Sequence, residues 1–193
     1  MEKISKVDLA YIVGVALGDG NLSNPNGRAT RLRITCDARY PIIANEIIDT
    51  LKRIFPKNRV SIVRTPKIDT YFNISIYSNK LNEFMPWKVG MGSKFQQLAR
   101  VPLWIQKSKT YSRHCLKGLL QTDGSIYRDR GYLMVNFTNH TQPLVEDVFH
   151  ILETLGFRPT VSKTATKNGG LKYCVRLARN AETLIQKVGL SKS

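Results

Sequence analysis

IVGVALGDGNL at 12–22 and LKGLLQTDGSI at 116–126 are two versions of one segment set 104 residues apart, and that recurrence decides how the chain is read. Each copy is followed by a short alternating piece, RLRIT at 31–35 and MVNFT at 134–138. Helical patterns come next, PIIANEIIDTLKRIF from Pro41 and PLVEDVFHILETLGF from Pro143. Strand-like pieces follow in both halves: NRVSIV at 58–63 with YFNISIY at 71–77, and RPTVSK at 158–163 with KYCVRLA at 172–178. The ends also correspond, WKVGMGSK at 87–94 against QKVGLSK at 186–192. An offset that drifts only from 104 to 98 is what small loop insertions and deletions leave of a duplicated unit.

The order helix, two strands, helix, two strands, helix therefore occurs twice, which is an α+β class of two αββαββα repeats. The first repeat spans 1–94 and the second 112–193. FQQLARVPLWIQKSKTY joins them at 95–111, where Pro102 and the lysines predict an exposed connector anchored by Trp104. Neither half is long enough for an ample core, so the two are expected to pack as a pseudo-dimer within one chain.

Thirty Lys and Arg against fourteen Asp and Glu leave a net charge of +16, spread along the chain rather than gathered in a tail. Self-repulsion of that size is best tolerated beside a polyanion, and nucleic acid comes before an anionic membrane surface. A generically basic surface is the plainer alternative. Cys36, Cys115 and Cys174 are odd in number and unpaired in spacing, which argues against disulfides or a thiolate zinc site and for a reducing intracellular compartment. His114, His140 and His150 make no helical metal-ligand pair. MEKISK before LAYIVGVAL imitates a signal peptide, but Asp8 interrupts the entry and the segment recurs in mid-chain.

Ser5 and Asp8 form the pattern of a capping box and predict a helix starting near Lys6. From Leu9 to Leu17 nearly every residue is apolar, so this helix should be buried on all sides. Gly14 and Gly18 lie four apart on one face, and Gly118 and Thr122 repeat the spacing. Small residues there let two helix backbones approach, although simple tolerance of glycine is a competing explanation. Asp19 and Asp123 then close the two helices, each before a glycine. Asp-Gly is first a turn signal, with the glycine expected in the left-handed region. The aspartate is less easily explained, because a carboxylate at a helix C-terminus meets the negative end of the dipole and loses roughly 0.3–1 kcal/mol. Two such helices side by side also bring two carboxylates together. Binding of a divalent cation, Mg2+ or Mn2+, would repay both costs, and ions beside a scissile phosphate activate water and stabilise the leaving oxygen.

At VGVALGDG (13–20) and LKGLLQTDG (116–124) the chain resembles the LAGLIDADG homing endonucleases, the second copy more closely. Leu17 and Gln121 stand where the signature has its first acid. The resemblance covers nearly the whole chain and implies the single-chain form, a functional monomer whose two antiparallel sheets make a DNA-binding saddle. It implies that Asp19 and Asp123, with the flanking Gly18 and Thr122, hold the catalytic ions. It places Lys94, in its GSK context, near the attacking water, and the internal alignment nominates Lys192 as its counterpart; both are equally readable as surface charges.

Strand alternation, set against that resemblance, turns Arg31, Arg33 and Thr35 outward from Leu32 and Ile34. Tyr71, Asn73, Ser75 and Tyr77 do the same about Phe72, Ile74 and Ile76. In the second half Asn136, Thr138, Ser162, Thr164, Lys172 and Arg176 take the corresponding outward sites. Such a set can donate to base edges and phosphates of double-stranded DNA, though a solvated strand face explains any single member. The expected function is site-specific double-strand cleavage of a long, partly palindromic target. Intron RNA binding in a maturase role and a non-cleaving transcriptional regulator are the alternatives. The short lead before the first helix favours a free-standing, intron-encoded product over an intein segment.

Overall fold

The computed structural model describes residues 4–166 and 169–191 of the chain. Helix α1 (Lys6–Asp19) opens at Ser5, whose hydroxyl accepts the Asp8 backbone N–H at 3.3 Å. The Asp8 carboxylate reaches Arg53 at 2.8 Å rather than turning back to complete a capping box. Every residue from Leu9 to Leu17 is buried, as an uninterrupted apolar stretch requires.

The first repeat continues with β1 (Gly20–Ser23), β2 (Arg31–Asp37), α2 (Pro41–Ile54), β3 (Ser61–Val63), β4 (Tyr71–Tyr77) and α3 (Leu81–Phe84). After α4 (Leu103–Gln106) the second runs α5 (Lys109–Asp123), β5 (Gly124–Asp129), β6 (Tyr132–Asn139), α6 (Gln142–Thr154), β7 (Thr160–Ala165), β8 (Leu171–Leu177) and α7 (Ala181–Val188). Each repeat makes one antiparallel sheet, ordered β1-β2-β4-β3 and β5-β6-β8-β7. The registers correspond: Gly20 lies opposite Ile34 and Gly124 opposite Phe137, while Leu32 faces Ile76 and Val135 faces Leu177. Both sheets turn Leu, Ile, Val and Phe onto one continuous core and leave a polar face outside. Among the described residues no helix is long and apolar enough to cross a membrane.

Three expectations change. The stretch 87–94, aligned with the end of α7, is not helical, and α3 is a single turn. Pro86 explains this, because its ring and missing N–H stop a helix that α7 is free to continue. The connector is docked rather than merely exposed: Ala99, Val101 and Ile105 are buried, and Asp147 of α6 takes the Arg100 guanidinium at 2.6 Å and the Val101 N–H at 2.8 Å. Trp104 adds an edge-on contact with Tyr111, and α5 reaches back to Lys109, inside the stretch read as connector. Finally, Gly20 and Gly124 are extended (φ −82 and −87), not left-handed. Their role is steric, since a Cβ would stand 2.6 Å from Ala16 Cα in one and 2.7 Å from Leu120 Cα in the other. Each strand can leave its helix directly only because no side chain intervenes.

The two repeats meet where α1 lies against α5. A Cβ on Gly118 would fall 2.5 Å from the Tyr11 carbonyl oxygen and 2.6 Å from the Val15 nitrogen, and Gly14 faces the Cys115 backbone as tightly. Gly18 instead meets the Thr122 side chain, whose hydroxyl donates back to the Gly118 and Leu119 carbonyls at 3.0 Å each. Backbone cannot yield as a side chain can. Gly118→Val should therefore cost about 3 kcal/mol or more in urea unfolding, and Gly18→Ala distinctly less. Equal costs would mean that the helices are not in backbone contact.

Candidate metal and nucleic-acid site

Closing α1 on α5 brings their C-terminal ends together, and with them Asp19 and Asp123. The last carbonyls of a helix lack helical donors; at the end of α1 the Gly20 N–H serves Ala16 O, and a lysine serves that oxygen and others as well. Lys94 donates to Ala16 O at 3.0 Å, to Leu17 O at 2.8 Å and also to Gly18 O. Its ammonium stands 5.5 Å from the centre of the Trp87 ring. Burial lowers its pKa to about 8, against the opposing pull of Asp123 first and Asp19 second. Both carboxylates thus act on one ammonium, and the two acids belong to one site.

The surroundings of the two acids differ. Asn139 donates to the Asp123 carboxylate at 2.7 Å, and its own carbonyl is fixed by the Thr141 N–H at 2.8 Å. Sheet register puts Cys36 at the same position in the first repeat. Burial, and then the charge of Asp19, pushes the Cys36 thiol up to about 12, so it stays protonated at neutral pH. Two cavities flank the helix ends, one per repeat. The first, about 190 Å3, is bordered by Asp19, Cys36, Asp37 and Thr122. The second, about 240 Å3, is bordered by Gly18, Lys94, Asn139 and His140.

The positions of the signature's missing first acid are structural in this chain. Leu17 is buried in the core. Gln121 accepts from the Tyr11 hydroxyl at 2.7 Å and donates to Glu46 at 2.9 Å, while Lys117 pairs with the other Glu46 oxygen. A neutral amide suits that buried place, since it both donates and accepts.

Among the described residues no cluster of three or more His, Cys, Asp and Glu is disposed to hold a metal. The donors the two repeats offer are the Asp19 and Asp123 carboxylates, hard oxygen ligands that fit Mg2+ or Mn2+ when water and substrate phosphate complete the coordination. Of the flanking residues expected at the metal site, Gly18 has its carbonyl engaged by Lys94, and the Thr122 hydroxyl donates to carbonyls of its own helix. Lys192 lies outside the described residues.

On the sheets, Arg33, Thr35, Tyr71, Tyr77, Ser162, Thr164, Lys172 and Arg176 are exposed, while Arg31, Asn73 and Thr138 are half-buried. Ser75 and Asn136 are on the outward face but are only 6 and 8% exposed. The reason is cross-strand crowding, with Ser75 between Arg33 and Ser61 and Asn136 between Ser125 and Arg176. Asn136 spends its amide on the Tyr127 hydroxyl at 2.9 Å. Thr35 and Asn73 are hydrogen-bonded to each other at 3.0 Å. The register adds Asn21, Ser61, Ser125, Tyr127 and Thr160 to the same polar faces. Continuing the alternation through the strand just after each Asp-Gly would have found the members on β1 and β5.

Residues 110–189 match the family of the LAGLIDADG-like domain. The homing endonuclease I-DmoI in complex with DNA and Mn aligns over 97% of this chain and 99% of its own, with a TM-score of 0.68 and 21% identity. Full-length DUF199/WhiA from Thermatoga maritima aligns over the whole of this chain and 58% of its own, with a TM-score of 0.67 and 11% identity. In sequence, the chain is 28% identical over 174 residues to the ribonucleoside-diphosphate reductase NrdEB subunit alpha of Bacillus subtilis, covering 82% of this chain and 15% of that one. It is 28% identical over 165 residues to the tRNA-splicing ligase RtcB of Methanocaldococcus jannaschii, covering 76 and 17%. The chain thus spans only about a sixth of these curated relatives.

Lys94→Met should remove the donor shared by three α1 carbonyls and lower stability by roughly 1–3 kcal/mol in thermal or urea unfolding. Unchanged stability would mean that water serves those carbonyls equally well.

Proposed function

We propose that this chain, a LAGLIDADG protein of the single-chain, two-motif form, is a site-specific, divalent-metal-dependent double-strand DNA endonuclease. The observation that carries this reading is the close packing of α1 on α5 at Gly18 and Thr122, which brings one aspartate from each repeat together at the helix ends. Fold alone does not decide activity, since one architecture hosts many functions. Paired acids at the wrong end of two helix dipoles are a standing cost that a binding-only scaffold has no need to bear.

When bound, Mg2+ or Mn2+ would supply Lewis-acid polarisation of the scissile phosphate and a water of lowered pKa. The chain's own residues do the rest. Asp19 and Asp123, one from each repeat, would hold the ions. Asn139 orients the Asp123 carboxylate, and Lys94 offsets the repulsion between the acids while fixing the end of α1. Arg33, Lys172 and Arg176 on the outer sheet faces supply phosphate contacts and guanine readout, and the polar residues between them supply adaptable base contacts. Because the halves are similar but unequal, a long and only partly palindromic duplex is the matching target.

In place of the free-standing, intron-encoded product expected above, the similarity to short segments of two longer proteins of different named activity favours an endonuclease segment carried within a longer chain. The uninterrupted form of a host gene is then the first target to test.

A supercoiled plasmid carrying a selected target should be linearised with Mg2+ and left intact with EDTA. Replacing both Asp19 and Asp123 with Asn should reduce cleavage by ~10^2-fold or more while duplex binding persists in a gel-shift assay. Asn139→Ala should raise the Mn2+ concentration needed for half-maximal cleavage by roughly 10–100-fold, as loss of a ligand-orienting group does. Full cleavage by the double Asn variant would end this reading.

A further inference from the structure

The end of the α1–α5 pair remote from the acids carries a second concentration of charge. A cavity of about 410 Å3 opens there between α1, α2, α5 and the end of α7, bordered by Asp8, Glu46, Arg53, Arg113, His114 and Lys117, with Lys187 on its rim. A smaller one of about 140 Å3 adjoins it, bordered by Lys109, Arg113, Thr154 and Lys187. Arg113 and Lys187 border both, so the two cavities are neighbours that share a basic wall.

Charge accounting across the two leaves a surplus. Asp8 is bound by Arg53 at 2.8 Å, and Glu46 is bound by Lys117. No acid borders the smaller cavity among the described residues, and Lys109, Arg113 and Lys187 remain. Lys187 is held in place by the Leu155 carbonyl at 2.8 Å and by the Phe157 ring. Lys109, Arg113 and Lys117 lie four apart along α5, which puts like charges on one helical face and costs a few tenths of a kcal/mol for each neighbouring pair. Lys109 is also the first residue of the helix, where a cation meets the positive end of the dipole. The pKa of His114 is lowered, first by burial and then by Arg113 and Lys117, with Asp8 and Glu46 opposing. Cations are thus kept at positions that both helix rules disfavour, which calls for a compensating gain.

We propose that the smaller cavity binds a phosphate monoester dianion, with Arg113 and Lys187 as its principal contacts and Lys109 completing the charge. A dianion fits better than a bridging phosphodiester, because the surplus of three cations is concentrated within a cavity of about 140 Å3 instead of being drawn out along a groove. The site lies at the opposite end of the helices from Asp19 and Asp123 and does not depend on the chain cleaving DNA. The phosphate can come from a free small molecule or from the 5′ end of a nucleic acid.

The test is titration of the full chain with inorganic phosphate at constant ionic strength, followed through the His114 ring resonances. Matched oligonucleotides with and without a 5′-phosphate form the second arm. Saturable shifts, a His114 pKa that rises on binding, and at least ~10-fold weakening by Arg113→Gln are expected. Lys109→Gln, whose side chain is exposed, should weaken binding while leaving the thermal midpoint equal to or slightly above that of the parent, which separates loss of the site from loss of the fold. Preference for the 5′-phosphorylated oligonucleotide identifies a nucleic-acid end, and equal binding of both oligonucleotides with no response to phosphate overturns the proposal. Shifts that never saturate, or that survive both substitutions, overturn it as well.

Discussion

The structure depends on the closeness with which α1 lies against α5. Gly14 and Gly118 leave no room for a Cβ, so the helices touch backbone to backbone, and each half covers an apolar surface the other half cannot cover alone. Because the contact is rigid, the two helix ends stay in register, and the residues that close them are fixed relative to each other. Glycine is poor in a helix interior by about 1 kcal/mol, and the closure explains why it is kept there.

That closure creates an electrostatic difficulty at one end and resolves it locally. Two helix C-termini and two carboxylates converge, and Lys94 answers by donating to three carbonyls of α1 within the field of both acids. Burial is the larger effect and lowers its pKa to about 8, but the two carboxylates offset part of that loss, so the ammonium is kept at neutral pH. The two half-sites are nonetheless unequal. Asp123 is oriented by an amide and Asp19 borders a protonated thiol, so the pseudo-symmetry of the backbone does not extend to the chemistry.

Much of this was legible in the sequence because it is carried by local period. The repeat set out the topology, the apolar run of α1 announced burial on all sides, and alternation in RLRIT and YFNISIY assigned faces correctly. What remained hidden is carried by contacts distant in sequence. Lys94 reaches α1 carbonyls 76 to 78 residues away, and Tyr11 meets Gln121 across 110. Ser75 and Asn136 were assigned to the right face, yet their burial depends on neighbours that only strand pairing identifies. Asn139 resembled any polar strand end until the sheet carried it to Asp123. Two departures from the sequence pattern are local. Pro86 is enough to cut the third helix short, and Asp-Gly, a pattern of left-handed turns, is extended here, its glycines letting each strand leave its helix without a steric clash.

The most direct measurement of the account is the anomalous scattering of Mn2+ in crystals of the chain bound to its duplex target. The account places Mn2+ between the Asp19 and Asp123 carboxylates, beside the phosphates to be cut, with the peak lost when both residues are Asn. Manganese bound elsewhere, with those carboxylates facing only protein and water, would contradict it.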